Sequence, residues 1–176
     1  AARALERHPG CDVVYAEMRC AGHRLRTIVT SPAPTSPATK LPYVLFVPGH
    51  GAGSVDGAAD PDRPIAALSA ACARAGHVFV RFDRSGVGDS EGPHPAELGF
   101  ADELDQVARA WTFASGLPNV APDRGILLAH SLGTLPAVEL AGRASTRPAG
   151  LSIYGGGLKL WTEYSDDNCR RQWTLA

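Results

Sequence analysis

The sequence predicts an α/β fold, a mostly parallel sheet with helices on both faces. Three observations carry this. Short runs such as Tyr43–Val47 and Ile126–Ala129 are apolar throughout, which suits parallel strands covered on both sides. Ala-rich or amphipathic stretches with helix-end signals lie between them. Strand and helix signals recur at intervals of about 25 to 45 residues, the spacing of βαβ units.

Taken in order, apolar and polar residues alternate from Asp12 to Thr30 and break at Ala21-Gly22, a β-hairpin of Val13–Cys20 and Arg24–Thr30. Ser31-Pro-Ala-Pro-Thr-Ser-Pro37 is a loop, because the hairpin before it is too short to fold alone. Tyr43–Val47 is a buried strand stopped by Pro48-Gly49. Pro64 to Ala75 is a helix with Pro in its first turn and Gly76 just past its end. His77–Phe82 is the next strand. Ala96 to Ser115 forms one long helix, with Leu98, Leu104, Val107, Ala108 and Trp111 near a 3–4 spacing. Gly125–Ala129 is a strand, Leu132 to Ala144 a helix in which Pro136 stands out as a flaw, and Ala149–Tyr154 a strand. Lys159–Ala176 reads as a further helix carrying Trp161, Tyr164 and Trp173.

Composition narrows the function classes. The chain has 176 residues, 44% of them hydrophobic, and a mean hydropathy of −0.09. A chain of that length can bury roughly 70% of its extended surface in one core. Its 17 Lys and Arg against 18 Asp and Glu leave a net charge of −1, which disfavours nucleic acid and anionic membranes as partners. No run approaches the roughly 18 apolar residues of a membrane span. Ala1 to Gly10 is polar, unlike a signal peptide; the chain begins with Ala rather than Met, so an upstream start is expected. The cysteines at 11, 20, 72 and 169 form no C-x-x-C pair, so no metal site is expected. Free thiols in the cytoplasm are the expectation, with a Cys11–Cys20 bridge left open.

In open α/β sheets ligands sit at the carboxyl ends of the strands, and three strand-end motifs stand out. Ala129-His-Ser-Leu-Gly133 departs from G-x-S-x-G only at its first residue. Such a turn lifts the Ser side chain above the sheet, and the following helix start offers N–H groups to a developing oxyanion. Pro48-Gly-His-Gly-Ala-Gly-Ser54 is either a loop of that oxyanion type or a dinucleotide fingerprint. The fingerprint fails at Ser54, where its third glycine belongs, and no helix opens on the loop. Asp83-Arg-Ser-Gly-Val-Gly-Asp-Ser-Glu-Gly92 misses the spacing of a calcium loop and carries Arg84; a turn that braces the neighbouring loop is the expectation. There is no P-loop, and no cofactor is expected.

Together the motifs resemble the α/β-hydrolase superfamily over residues 12 to 176. Val47-Pro-Gly-His50 is similar to its oxyanion segment, Arg81-Phe-Asp-Arg-Ser-Gly-Val-Gly-Asp-Ser90 to its R-x-D-x-x-G-x-G-x-S loop, and Ala129–Gly133 to its nucleophile elbow. Trp161-Thr-Glu-Tyr164 and Arg170-Arg-Gln172 resemble a tail pattern of the dienelactone-hydrolase or serine-aminopeptidase-like branch. The resemblance implies a serine hydrolase of a small-molecule or acyl substrate, cleaving an ester, thioester or amide through an acyl-enzyme. It implies Ser131 as nucleophile, and backbone N–H groups of Leu132 and His50 as the oxyanion hole, with Gly51 the fallback. His130 would be a packing residue, and residues 158–176 the start of a cap.

The family's chain order is Ser, then Asp or Glu, then His. All six histidines lie at or before position 130, so none follows Ser131. Asp166 and Asp167 fall in the expected cap, and only one strand follows the elbow where the acid normally needs two. Three expectations follow: an N-terminal portion of a longer hydrolase lacking the last strands, an unusual base such as His50, or a catalytically inactive module. A sheet cut short in this way would also self-associate. A Rossmann-type nucleotide-binding domain is the alternative from outside the family. Oligomeric state is not readable.

Overall fold

A computed structural model of the chain describes residues 5–34, 38–49, 51, 53–58, 64–143, 147–156 and 163. It contains six strands: β1 (Cys11–Cys20), β2 (His23–Pro32), β3 (Leu41–Val47), β4 (Val78–Phe82), β5 (Val120–His130) and β6 (Gly150–Tyr154). Three α-helices alternate with the later strands: α1 (Pro64–Arg74), α2 (Phe100–Ser115) and α3 (Thr134–Gly142). The strands form one sheet in the order β1-β2-β4-β3-β5-β6. The hairpin β1–β2 and the β2–β4 pair are antiparallel, while β4, β3, β5 and β6 run parallel. This is the mostly parallel α/β sheet that the apolar runs predict.

The hairpin turns at Ala21 and Gly22, both with positive φ (47° and 84°), the backbone of a two-residue turn whose twist matches its strands. Residues 78, 80 and 82 of β4 join Leu25, Tyr43, Leu45, Leu127 and Ala129 in the main core, under Leu104, Val107 and Trp111 of α2 and Ala137 and Leu140 of α3. The alternate residues Phe79 and Arg81 face the other way, toward α1, because successive strand side chains point to opposite faces. Helices therefore cover both faces.

Three boundaries differ from the sequence reading. The long helix expected from Ala96 is split: Pro95–Glu97 is a separate 3-10 turn and α2 starts at Phe100. Gly99 caps it, its N–H donating to the Asp102 carboxylate at 2.9 Å. The strand β5 reaches back to Val120, which pairs with Leu41 across a register shift. The helix expected at Leu132–Ala144 begins instead as a 3-10 turn over Ser131–Gly133, with α3 proper starting at Thr134. Pro136 thus lies in the first turn of α3, where backbone N–H groups have no intrahelical acceptor, so it breaks no bond and is no flaw. The helix expected over Lys159–Ala176, with the cap expected at 158–176, lies outside the described residues apart from Glu163.

Candidate active site

The chain enters the parallel sheet at β3, moves to β4 on one side, then crosses to β5 on the other. The direction of winding reverses there, so a crevice opens between the carboxyl ends of β3 and β5. Register makes this concrete: Val47 pairs with Ala129, and His130 with Tyr154 of β6. Pro48-Gly49 leaves β3 on one side of the Ser131 turn, and Gly155-Gly156 leaves β6 on the other.

Ser131 follows the last residue of β5 and has φ of 52°, a left-handed conformation that a non-glycine residue adopts at a cost of about 1–2 kcal/mol. The strand ends and the helix begins within one residue only if the backbone takes this turn. Small neighbours make room for it. Ala129 is fully buried, so the methyl that departs from G-x-S-x-G is accommodated. A Cβ on Gly133 would lie 2.4 Å from the Pro48 carbonyl oxygen and 2.7 Å from that of Val47. A Cβ on Gly49 would lie 2.8 Å from Ser131 Cβ. Glycines on both sides therefore let the loop after β3 touch the Ser131 turn directly.

Leu132, half-buried, sits second in the 3-10 turn that opens α3, where backbone amides precede the helical ladder. The His130 ring stacks on Tyr154 with centroids 5.5 Å apart. His50 lies outside the described residues, as do Asp166 and Asp167.

The Asp83–Gly92 loop braces its neighbour. Asp83 accepts from the Val55 N–H at 2.7 Å and the Ser54 hydroxyl at 3.1 Å. Arg26 of β2 donates to Asp83, Ser54, Asp56 and Asp89 from a buried position. Burial works against its charge, but Asp83 with Asp56 and Asp89 raises its pKa above the ordinary value. Ser90 Oγ accepts from the Arg26 N–H and donates to the Asp83 carbonyl, closing the turn. Gly88, at φ 59°, leaves the space that the Asp83 carboxylate and the Arg26 guanidinium occupy.

A second buried pair joins the first. Arg81, fully buried, donates to Glu6 at 2.5 Å and to Ser69 Oγ at 2.9 Å. Glu6 accepts the Gly57 N–H, and its own N–H donates to the Tyr15 hydroxyl, which in turn donates to Asp56. Burial alone would raise the Glu6 carboxyl, but Arg81, His8 and the Gly57 N–H outweigh it and hold it below the ordinary value. Burial and the Asp56 carboxylate push Tyr15 up to about 12, so it stays a neutral donor. Local spacing could not reveal these pairs, because their members stand 57 and 75 residues apart.

Among the described residues there is no group of three or more His, Cys, Asp or Glu side chains able to hold a metal ion. Cys11, Cys20 and Cys72 are free thiols, so the Cys11–Cys20 bridge does not form: the two residues stand at opposite ends of β1. Cys169 is outside the described residues. No described helix is long and apolar enough to cross a membrane.

Sheet, crevice and elbow define the class, an α/β protein whose candidate site is a serine on a strand-to-helix turn. The chain belongs to the alpha/beta hydrolase family, whose model matches residues 44–173. No curated protein matches it. Among solved structures it is similar to a hypothetical protein of Pseudomonas aeruginosa (17% identity, TM-score 0.69, covering 95% of this chain and 54% of that one). It is also similar to Est1E of Butyrivibrio proteoclasticus, solved with ferulic acid bound (21%, 0.64, 77% and 50%). A third is a bacterial heroin esterase (13%, 0.64, 86% and 46%). At these identities the likeness is one of fold. The chain spans about half the length of each of these three solved structures.

Proposed function

We propose that the protein is a serine hydrolase that cleaves a carboxylic ester, thioester or amide of a small-molecule or acyl substrate through an acyl-enzyme. The observation that carries this is the left-handed Ser131, held at the end of β5 against Gly49 of the loop after β3. Two esterases among the similar folds support it.

In this reading Ser131 Oγ attacks the substrate carbonyl carbon and gives up its proton to a base. The oxygen of the tetrahedral intermediate accepts from the Leu132 and His50 backbone N–H groups. Collapse expels the alcohol, thiol or amine, which takes the proton, and leaves the acyl group on Ser131. Water, deprotonated by the same base, then releases the acid and restores the hydroxyl. The triad acid and base come from residues beyond Ala176, with 158–176 beginning a cap. That part of the proposal rests on the missing late His and on the half-length match. Free thiols at Cys11, Cys20 and Cys72 support a cytoplasmic location.

The test is a fluorophosphonate probe and a p-nitrophenyl ester, applied to the protein made from its whole reading frame. The probe should attach at Ser131, and Ser131→Ala should abolish both labelling and turnover. Turnover retained in Ser131→Ala would refute the nucleophile. Ser131-dependent turnover by the 176-residue chain alone would refute an outside base and point to His50. No labelling in any form would leave the inactive module.

A further inference from the structure

The loop between β3 and α1 has an unusual problem. Pro48-Gly-His-Gly-Ala-Gly53 places three glycines in six residues, and glycine-rich backbone is the most costly to order. Yet a backbone donor helps an oxyanion only if it is already aimed when charge develops. Something outside the loop must hold it.

Two consecutive residues at the end of β4 do so. Asp83 takes the far end of the loop, through the Ser54 hydroxyl and the Val55 N–H. Arg84 takes the middle: its Nη2 donates to the Gly51 carbonyl oxygen. Its Nη1 donates to Glu103 of α2 at 2.9 Å, so the guanidinium is itself held by a rigid helix. The Arg84 side chain is 8% exposed and Glu103 20%, which limits solvent screening of the pair. Gly51 has φ of 129°, open to glycine and rarely to other residues, and Gly49 two positions earlier touches Ser131.

We propose that Arg84 is a positioning residue for the oxyanion loop, tying the Gly51 carbonyl to Glu103 so that the loop after β3 is held beside Ser131 before substrate arrives. This rests on the serine-hydrolase reading for its consequence, though not for the anchoring itself. Arg presents its two donors to the carbonyl and the carboxylate from one rigid plane, whereas the Lys ammonium must reach both from a single atom.

Two measurements on the protein from its whole reading frame separate anchoring from chemistry. The first is hydrogen exchange, by mass spectrometry, of peptides covering residues 48–53. In Arg84→Met exchange there should rise about tenfold or more, the loss expected for one charge-assisted bond, while peptides of β3 and β5 stay unchanged. The second is the saturation kinetics of fluorophosphonate labelling at Ser131. The limiting rate should fall about 10- to 100-fold in Arg84→Met, with half-saturation moving less than twofold and Arg84→Lys recovering part of the rate. If Arg84→Met fails to fold, Glu103→Gln takes its place, with a loop exchange increase of about threefold. Unchanged loop exchange in the folded variant overturns the proposal. So does a limiting rate within twofold of wild type, or a loss confined to half-saturation. Should wild type fail to label at Ser131, the hydrolase reading falls, and exchange alone decides the role of Arg84.

Discussion

Arg81→Met removes the positive partner of a buried carboxylate and reads how the N-terminal segment is held. Arg81 is fully buried on the α1 face of β4, and the Glu6 side chain is 4% exposed. Without the guanidinium, Glu6 keeps the Gly57 N–H and His8 but loses the permanently charged partner it has among the described residues. Breaking a buried pair from one side costs about 3–5 kcal/mol, because the remaining charge is left desolvated. For a domain of this size that is a fall in Tm of about 6–20 °C. Glu6→Gln combined with Arg81→Met leaves no unpaired charge, so the double variant should recover about 1–3 kcal/mol relative to the sum of the singles. Urea melts at pH 7 measure all four corners. The Glu6 carboxyl sits below its ordinary 4.5, so its ion-pair contribution is present above that pH and fades as pH falls through the lowered value. The gap between wild type and Arg81→Met should therefore narrow below about pH 4.5. A single-variant loss under about 1 kcal/mol, or strict additivity, would refute the claim that Glu6 and Arg81 act as a buried pair.

Three further outcomes are expected. Gly133→Ala forces a methyl to within 2.4 Å of the Pro48 carbonyl oxygen, and should destabilise by about 1–3 kcal/mol in a thermal melt; a neutral effect would show that the elbow and the loop after β3 can separate freely. Ala21→Asn, at φ 47° in the hairpin turn, should raise stability by about 0.5–1 kcal/mol, since Asn tolerates the left-handed region; a lower Tm would contradict this. Burial, helped by the Asp105 carboxylate that accepts a hydrogen bond from it at 3.1 Å, pushes the Cys20 thiol up to about 12. Iodoacetamide at pH 8 should leave Cys20 unmodified in the folded protein and react once it unfolds, and rapid alkylation of the native state would count against the assigned burial.

Much of the architecture could be read from pattern alone, for a local reason. A strand buried on both faces must be apolar throughout, so Tyr43–Val47 and Ile126–Ala129 announce themselves. The Ala21-Gly22 turn and the Gly76 stop are visible because backbone geometry restricts which residues fit. The Ser131 turn is visible too, since a strand that becomes a helix within one residue needs small neighbours on either side. The misplaced helix starts had the same origin. Periodicity carried the α2 pattern back through Leu98 and the α3 pattern back to Leu132, while Gly99 and the left-handed Ser131 set the true boundaries through caps and φ, which periodicity does not report.

By itself, then, the sequence determined the class of sheet, the order of its elements and the three loops at the carboxyl ends of the strands. Tertiary structure alone decided which residues brace those loops. Arg26 meets Asp83, Arg81 meets Glu6, and Arg84 spans from Gly51 to Glu103 across 19 to 75 residues of chain. A charge on the page of a sequence looks like a solvated surface group. It becomes a clamp only when folding removes the water and supplies a partner, and no spacing rule reaches that far.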